Sequence, residues 1–368
     1  MLTDSDDYSE DEPVVSDLEI SDDDDEELEL FFGTRLRPKN ENFIQKVVRQ
    51  YNDVEFVEDF RVSYHVAVLI ANRYRNSTVY SYHVGPYGKV EAYEQVLIFL
   101  WFVGNETTSF RAVSNLFDIS KSTLAKILKK LIFFVSDMSG EVITWPTEEE
   151  MQESERYFRL QGFPGAIGAI DGSHIKVDKP ESDPESFITR KCEYAVQLQA
   201  VCNHKKKIID LYVGYPGSVH DARVFSTSPL AETLQEKCGA RFILADSAYP
   251  CLPNMITPYR DTGNLEPSHV RFNKIHSKNR CVVEHCFGLL KQKFRQLYHL
   301  KLRKMESIVH FIRACAVLHN LALEDDFPEE QVSPSPVQQS PSIPVHDGLN
   351  DSANGQAVRD NIRRAIIR

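Results

Sequence analysis

Beyond residue 161 the chain is built from short apolar runs, and an acidic residue follows three of them. GAIGAI precedes Asp171, RFILA precedes Asp246 and CVV precedes Glu284. A carboxylate at the end of a buried strand costs free energy unless its charge is paired or bound to a metal ion. A turn or a helix cap explains any one of these acids alone. Several of them in one region instead predict a shared charged site.

The spacing of the apolar residues predicts strands mixed with helices in this region. The predicted elements are a buried strand within 162–177, two strand-like runs within 194–218, a broken helix at 220–235, a buried strand within 240–250 and helical spacing at 279–323. The two runs of 194–218 flank Asn203-His204-Lys205-Lys206, which suits a hairpin turn. Strands with flanking helices predict an α/β fold for residues 161–323.

Residues 41–160 carry a helical pattern and precede the strand-rich region. Within 109–135, apolar side chains recur at helical spacing on both sides of a short turn, and Ser120 is placed to cap the second helix. Two short helices joined by a tight turn are typical of a helix-turn-helix. Lys121 and Lys126 of the second helix are therefore candidates for DNA contact. A purely structural helical pair has the same apolar pattern and stays open as the alternative.

The charge is distributed unevenly along the chain. Residues 1–30 hold 15 Asp or Glu and no Lys or Arg, so the net charge of −12 becomes +3 without them. This composition predicts an acidic disordered tail over residues 1–40. Residues 271–313 carry 11 Lys or Arg against two acids, which suits contact with phosphate or a solvated helix face. Residues 324–368 are predicted to be a Pro/Ser-rich linker followed by a short basic helix.

Clustered carboxylates suit magnesium or manganese, because these hard cations prefer oxygen ligands. Two such ions about 3.5–4 Å apart can promote phosphodiester cleavage. Asp221, at a predicted helix start, is a fourth candidate ligand, although a helix N-terminus also favours an acid for its charge alone. The seven cysteines are scattered without a CxxC pair, which disfavours a zinc site. No apolar run reaches the roughly 18 residues of a membrane span.

Four motifs occur in an order that matches a known family. They are AIDGSHI (169–175), PGSVHDARVF (216–225), LADSAYP (244–250) and RCVVEHCFGLLKQKF (280–294). In order and character they resemble the DDE domain of Harbinger-type transposases and their domesticated relatives, over roughly residues 90–323. The resemblance implies an RNase H-like mixed sheet with flanking helices, preceded by the helix-turn-helix-like region.

The resemblance also implies roles for individual residues. Carried over by motif, Asp171, Asp246 and Glu284 are the catalytic acids and Asp221 is a further metal ligand. Which of Asp221 and Asp246 is the second catalytic acid stays open. The neighbouring histidines, His174 and His220, are expected to hold the metal ligands in position. The basic residues of the last motif that are candidates for binding DNA phosphates are Arg280, Lys291 and Lys293.

Two features of that last motif qualify the match. In the related bacterial pattern a tyrosine occupies the position of Ser277, so this part of the match is incomplete. An ordinary ion pair between Arg280 and Glu284, one helical turn apart, is the alternative to phosphate binding.

The function that the resemblance implies is a divalent-metal-dependent DNA endonuclease of transposase origin that uses Mg²⁺ or Mn²⁺. Nuclear action follows from that function, with the cytoplasm as a second expected location. Family transposases commonly rely on a separate Myb-like DNA-binding partner, and a homo-oligomer is compatible with the resemblance. Two alternatives stay open: a catalytically silent domesticated nuclear protein that binds DNA or a partner, and a metal phosphohydrolase acting on nucleotides. The absence of a P-loop disfavours the phosphohydrolase.

Overall fold

The computed structural model describes most of the chain. The described residues are 40–80, 90–106, 109–261, 263–323 and 351–367. The predicted acidic tail and Pro/Ser-rich linker lie almost wholly outside them, and both stay predictions. Within the described ranges, no helix combines the length and the apolar character that crossing a membrane would require.

Helices alone precede the sheet in the described part of the chain. They are α1 (Phe43–Lys46), α2 (Asp53–Phe60), α3 (Tyr64–Arg75), α4 (Ala92–Gly104), α5 (Phe110–Leu116), α6 (Lys121–Asp137), α7 (Ser139–Val142) and α8 (Glu148–Leu160). Asp118 adopts a left-handed conformation, with φ of 53°, and turns the chain between α5 and α6. Ser120 caps α6, as the sequence predicts, by accepting a hydrogen bond from the Thr123 amide at 3.0 Å.

The sheet that follows is mixed and has five strands. They are β1 (Ala166–Lys176), β2 (Ala195–Cys202), β3 (Ile208–Pro216), β4 (Phe242–Leu244) and β5 (Met255–Ile256), in the spatial order β3-β2-β1-β4-β5. β1, β2 and β3 pair antiparallel, whereas β4 lies parallel to β1 and β5 parallel to β4. The β2–β3 hairpin turns where predicted, and the Asn203 carboxamide accepts hydrogen bonds from the amides of Lys205 and Lys207.

Helices flank the sheet on both faces. They are α9 (Asp221–Thr227), α10 (Pro229–Cys238), α11 (Pro267–Lys293), α12 (Met305–Leu323) and α13 (Ala353–Ile367). α11 begins twelve residues before the predicted start at residue 279. The sequence signal is weak there because Phe272 and His276 are the only residues that the helix buries before residue 279. The mixed sheet with flanking helices confirms the predicted RNase H-like α/β fold.

The two faces of the sheet pack into two apolar clusters. Ile175 and Leu198 face the larger cluster, which includes α11, α12 and the helices before the sheet. Ile170 and Val201 face the smaller one with α9 and α10. α6 packs along α12. Ser122, Lys126 and Asp137 are the exposed residues of α6, and Lys121 is half-buried.

Helix α13 docks beside the edge strand β5. The Cys251 amide donates to Asp351 Oδ1 at 2.9 Å, and the Ser352 amide donates to the Cys251 carbonyl at 3.0 Å. Further along the helix, the Arg359 guanidinium lies over the Tyr259 ring, 4.2 Å from its centroid. The helix therefore holds the loop between β4 and β5.

Candidate metal centre

Asp171 lies within β1 and not at its end. The strand continues to Lys176, so the sequence-based expectation that it stops at the acid is wrong; the residues after Asp171 keep pairing with β2, although they are more polar. The Asp171 carboxylate faces α11, and Arg280 Nη1 donates to its Oδ2 at 2.9 Å. Burial raises the pKa of Asp171 to about 7; the Arg280 charge opposes this shift and the Asp246 charge adds to it.

Asp221 is the first residue of α9 and reaches β1 from the opposite side. Its carboxylate lies over Gly172, where a Cβ atom would stand 3.1 Å from Asp221 Cγ and still closer to Oδ1. Gln197 Nε2 donates a hydrogen bond to Asp221 Oδ1. Burial raises the pKa of Asp221 to about 8, and the charges of Asp246 and Asp171 contribute to the shift. Gly172 thus allows Asp221 to approach Asp171.

Asp246 follows β4 by two residues. Because β4 runs parallel to β1 and pairs Leu244 with Ala169, its end carries Asp246 to the position beside Asp171. The Ala248 amide donates to Asp246 Oδ1 at 2.8 Å and fixes the carboxylate. Burial raises the pKa of Asp246, while the Ala248 hydrogen bond lowers it.

These three aspartates form one cluster, which we call the acid cluster. One carboxylate oxygen from each of Asp171, Asp221 and Asp246 lies within 4.8 Å of the others. Like charges this close destabilise one another, and a bound cation removes that repulsion. The sequence left open which of Asp221 and Asp246 accompanies Asp171, and the structure places both beside it.

Glu284 lies on α11 and is joined to the acid cluster through Arg280. Arg280 Nη2 donates to Glu284 Oε1 while Nη1 binds Asp171. The ion pair within α11 that the sequence allowed is therefore present, and it extends to β1. The Arg280 side chain is only 17% exposed, so in this conformation it binds carboxylates and is not presented to DNA.

The remaining predicted residues lie beside the acid cluster or further along the helices. Lys291 reaches β1, where its Nζ donates to the His174 carbonyl at 2.9 Å, and burial lowers the pKa of Lys291 to about 8. His220 precedes Asp221 and lies 3.3 Å from Arg190, measured from Nδ1 to Nη2. Lys293 is the last residue of α11, and Lys121 and Lys126 lie on α6.

Two glutamines of β2 belong to the site although the sequence analysis did not select them. Gln197 and Gln199 are 3% and 1% exposed, within a strand that is buried throughout. Gln199 Oε1 accepts a hydrogen bond from the Tyr249 hydroxyl at 3.4 Å. Gln197 Oε1 and Gln199 Nε2 have no hydrogen-bond partner among the described residues. The available signal was the repeated polar residue in AVQLQAV, since a buried amide needs a polar partner.

Comparison with known proteins gives a family and several relatives. Residues 170–320 match the DDE superfamily endonuclease family. "Putative nuclease HARBI1" of Rattus norvegicus is 26% identical over 281 residues, covering 74% of this chain and 78% of that protein. "Protein ALP1-like" of Arabidopsis thaliana is 24% identical over 251 residues, covering 63% of this chain and 60% of that protein. No solved structure matches the chain significantly.

Proposed function

We infer that the protein is a divalent-metal-dependent DNA endonuclease of transposase origin. Its residues 170–320 match the DDE superfamily of endonucleases. Its homology to HARBI1 and ALP1-like proteins supports the inference. The observation that carries it is the acid cluster, in which Asp171, Asp221 and Asp246 converge from three different elements.

The residues of the acid cluster fit a magnesium or manganese ion. They offer only carboxylate oxygens, which these hard cations prefer, and their raised pKa values reflect negative charge that burial leaves poorly solvated. Asp171, Asp221 and Asp246 would hold the metal, with Glu284 nearby on α11. A bound divalent metal would supply activation of the attacking water or hydroxyl and stabilisation of the leaving oxygen in phosphodiester cleavage.

The chain's own residues orient these ligands. Gln197 holds Asp221 over Gly172 of β1, and the Ala248 amide holds Asp246 just after β4. Arg280 favours the ionised form of Asp171 and fixes the rotamer of Glu284. Because each carboxylate is held by a specific donor, the site is arranged before metal or substrate arrives.

One observation favours a second candidate, a non-cutting nuclear protein that binds DNA or a partner. Arg280 bridges Asp171 and Glu284 and so partly neutralises the site without a metal ion. An acid site stabilised in this way can be retained without catalysis. Nuclear action, a Myb-like partner and a homo-oligomer remain predictions from the resemblance under either candidate.

Calorimetric titration with Mn²⁺ and Mg²⁺ tests the proposal. We expect the wild type to bind metal and the Asp171→Asn/Asp246→Asn variant to lose binding. Asp178→Asn is the control, because Asp178 lies just beyond β1 and pairs with His299 at 2.7 Å. A folded wild type that binds neither metal, even with DNA present, would favour the non-cutting protein.

Cleavage then separates the catalytic acids. Asp171→Asn and Glu284→Gln are each expected to abolish cutting of DNA while leaving DNA affinity intact or increased. Full cleavage activity in either variant would exclude that residue from catalysis.

A further inference from the structure

The connection between β1 and β2 ends in a small hairpin, residues 188–194, whose strands bridge Ile188 to Tyr194. The Thr189 hydroxyl accepts hydrogen bonds from the amides of Lys191 at 3.3 Å and Glu193 at 3.4 Å. Cys192 closes the turn in a left-handed conformation, with φ of 58°. These bonds fix the backbone of the tip and leave the side chains of residues 190–193 exposed.

The hairpin is attached to the turn that leads into Asp221. A Cβ atom at Gly217 would stand 2.7 Å from the Ala195 carbonyl oxygen and 3.0 Å from Thr189 Cγ2, so the two segments are in close contact. The Ser218 hydroxyl donates to the Ser186 carbonyl at 2.6 Å. The hairpin is therefore positioned relative to the acid cluster by direct contacts.

Arg190 occupies the tip on the side of the acid cluster. Its Nη2 atom lies 3.3 Å from His220 Nδ1, and His220 directly precedes Asp221. An exposed guanidinium thus lies at the edge of a buried carboxylate group.

Other cations lie along the same edge. Lys191 follows Arg190 on the exposed tip of the hairpin. Lys291 is fixed to the His174 carbonyl from α11. Two elements therefore contribute positive charge where β1 leaves the acid cluster.

We propose that the 188–194 hairpin binds the phosphodiester backbone of DNA, with Arg190 as its phosphate ligand. A guanidinium presents paired N–H groups that match two phosphate oxygens. Carboxylates repel phosphate, so a substrate strand needs cations beside the acid cluster. Arg280 binds Asp171 and Glu284, whereas Arg190 is exposed. The inference rests on the proposed function, since it names where that nuclease holds its substrate.

Fluorescence anisotropy on the full chain tests this site with a labelled DNA duplex about three helical turns long, at several salt concentrations. Arg190→Gln is expected to weaken binding about tenfold and to reduce the slope of log affinity against log salt by about one. Arg190→Lys should retain most of that slope because it keeps the charge. A change in fold alone would not give Arg190→Gln and Arg190→Lys different salt slopes.

Lys205→Gln is the matched control. Lys205 is also an exposed cation on a hairpin, but it lies beyond the other end of β2 and pairs with Glu153 at 2.9 Å. It should leave the affinity and the salt slope unchanged. All three variants should bind Mn²⁺ as the wild type does. If Arg190→Gln keeps the wild-type DNA affinity and salt slope, the proposal is overturned. If the proposed function itself is wrong, the wild type will fail to bind Mn²⁺.

Cys192 provides an independent footprint in the native sequence. Its thiol is exposed on the same hairpin, whereas the other cysteines are buried or half-buried. Adding the duplex should slow alkylation of Cys192 by N-ethylmaleimide in proportion to the fraction of protein bound. An unchanged alkylation rate at saturating duplex would place the DNA elsewhere and overturn the proposal.

Discussion

Gly172→Ala is predicted to impair the metal centre without disrupting the fold. A Cβ atom at this position would stand 2.9 Å from Gln197 Nε2 and 3.1 Å from Asp221 Cγ, with Asp221 Oδ1 closer than either. Ordinary contact begins at 3.4 Å, so the carboxylate has to retreat, and its oxygen by more than 1 Å. Metal–ligand distances tolerate only about 0.2 Å, so Asp221 no longer serves as a ligand in its present position.

The expected cost is a ten- to hundredfold loss of Mn²⁺ affinity, or about 1.4–2.7 kcal/mol. At a metal concentration one hundred times the wild-type dissociation constant, binding stabilises the wild type by about 2.7 kcal/mol. A hundredfold weaker variant would gain only about 0.4 kcal/mol. Calorimetry gives the affinity, and urea unfolding with and without Mn²⁺ gives the stabilisation.

Gly288→Ala is the control for the substitution itself. Gly288 lies one turn after Glu284 on α11, and a Cβ atom there would have no neighbour within 4 Å. We expect it to stabilise the protein by about 0.5–1 kcal/mol, because alanine favours a helix, and to leave Mn²⁺ affinity unchanged. If Gly172→Ala binds Mn²⁺ as tightly as the wild type, the argument that Asp221 needs a glycine beneath its carboxylate is refuted.

Three further predictions concern stability. His276 is buried against the Ile256 carbonyl, and burial lowers the pKa of His276 to about 4. The folded state therefore takes up fewer protons than the unfolded state as the pH falls. The stability that neutral His276 contributes is complete above pH 6.5 and is lost as the pH falls towards 4. Urea unfolding should show about 3 kcal/mol of this pH dependence missing in His276→Gln, and an unchanged profile would contradict it. Asp221→Asn should raise metal-free stability by on the order of 2 kcal/mol and abolish the Mn²⁺ response in thermal unfolding, because it removes an acid whose ionisation is opposed by burial and by the neighbouring carboxylates. Lower metal-free stability would count against charge repulsion in the acid cluster. Gly355→Leu should undock α13, since a Cβ atom there would stand 2.7 Å from the Cys251 carbonyl carbon. Hydrogen exchange of the β4–β5 loop should then increase, and unchanged exchange would argue against the docking.

Much of the fold could be predicted from the sequence because strands and helices differ in apolar spacing. The β2–β3 hairpin, the break between α9 and α10 and the cap at Ser120 all follow from local residues. The resemblance to the DDE domain, carried by four motifs, is confirmed by the family match of residues 170–320. Local signals were weaker at the start of α11, where few side chains are buried.

The details of the site could not be predicted because they depend on contacts between distant segments. Arg280 was a phosphate candidate on α11, but folding places it against Asp171, which lies 109 residues away in the sequence. Gln197 appeared as an ordinary residue of a buried strand until α9 brought Asp221 beside it. The close approach at Gly172 depends on the same placement.

The docking of α13 also has a consequence for the order in which the chain folds. Asp351 binds the Cys251 amide across 100 residues of sequence, and Cys251 lies in the same loop as Asp246. Closing so long a loop carries a large entropic cost, so such contacts form late. We expect the β1–β2–β3 meander to assemble early from neighbouring segments. The loop that carries Asp246 would then become rigid last, when the C-terminal helix reaches it.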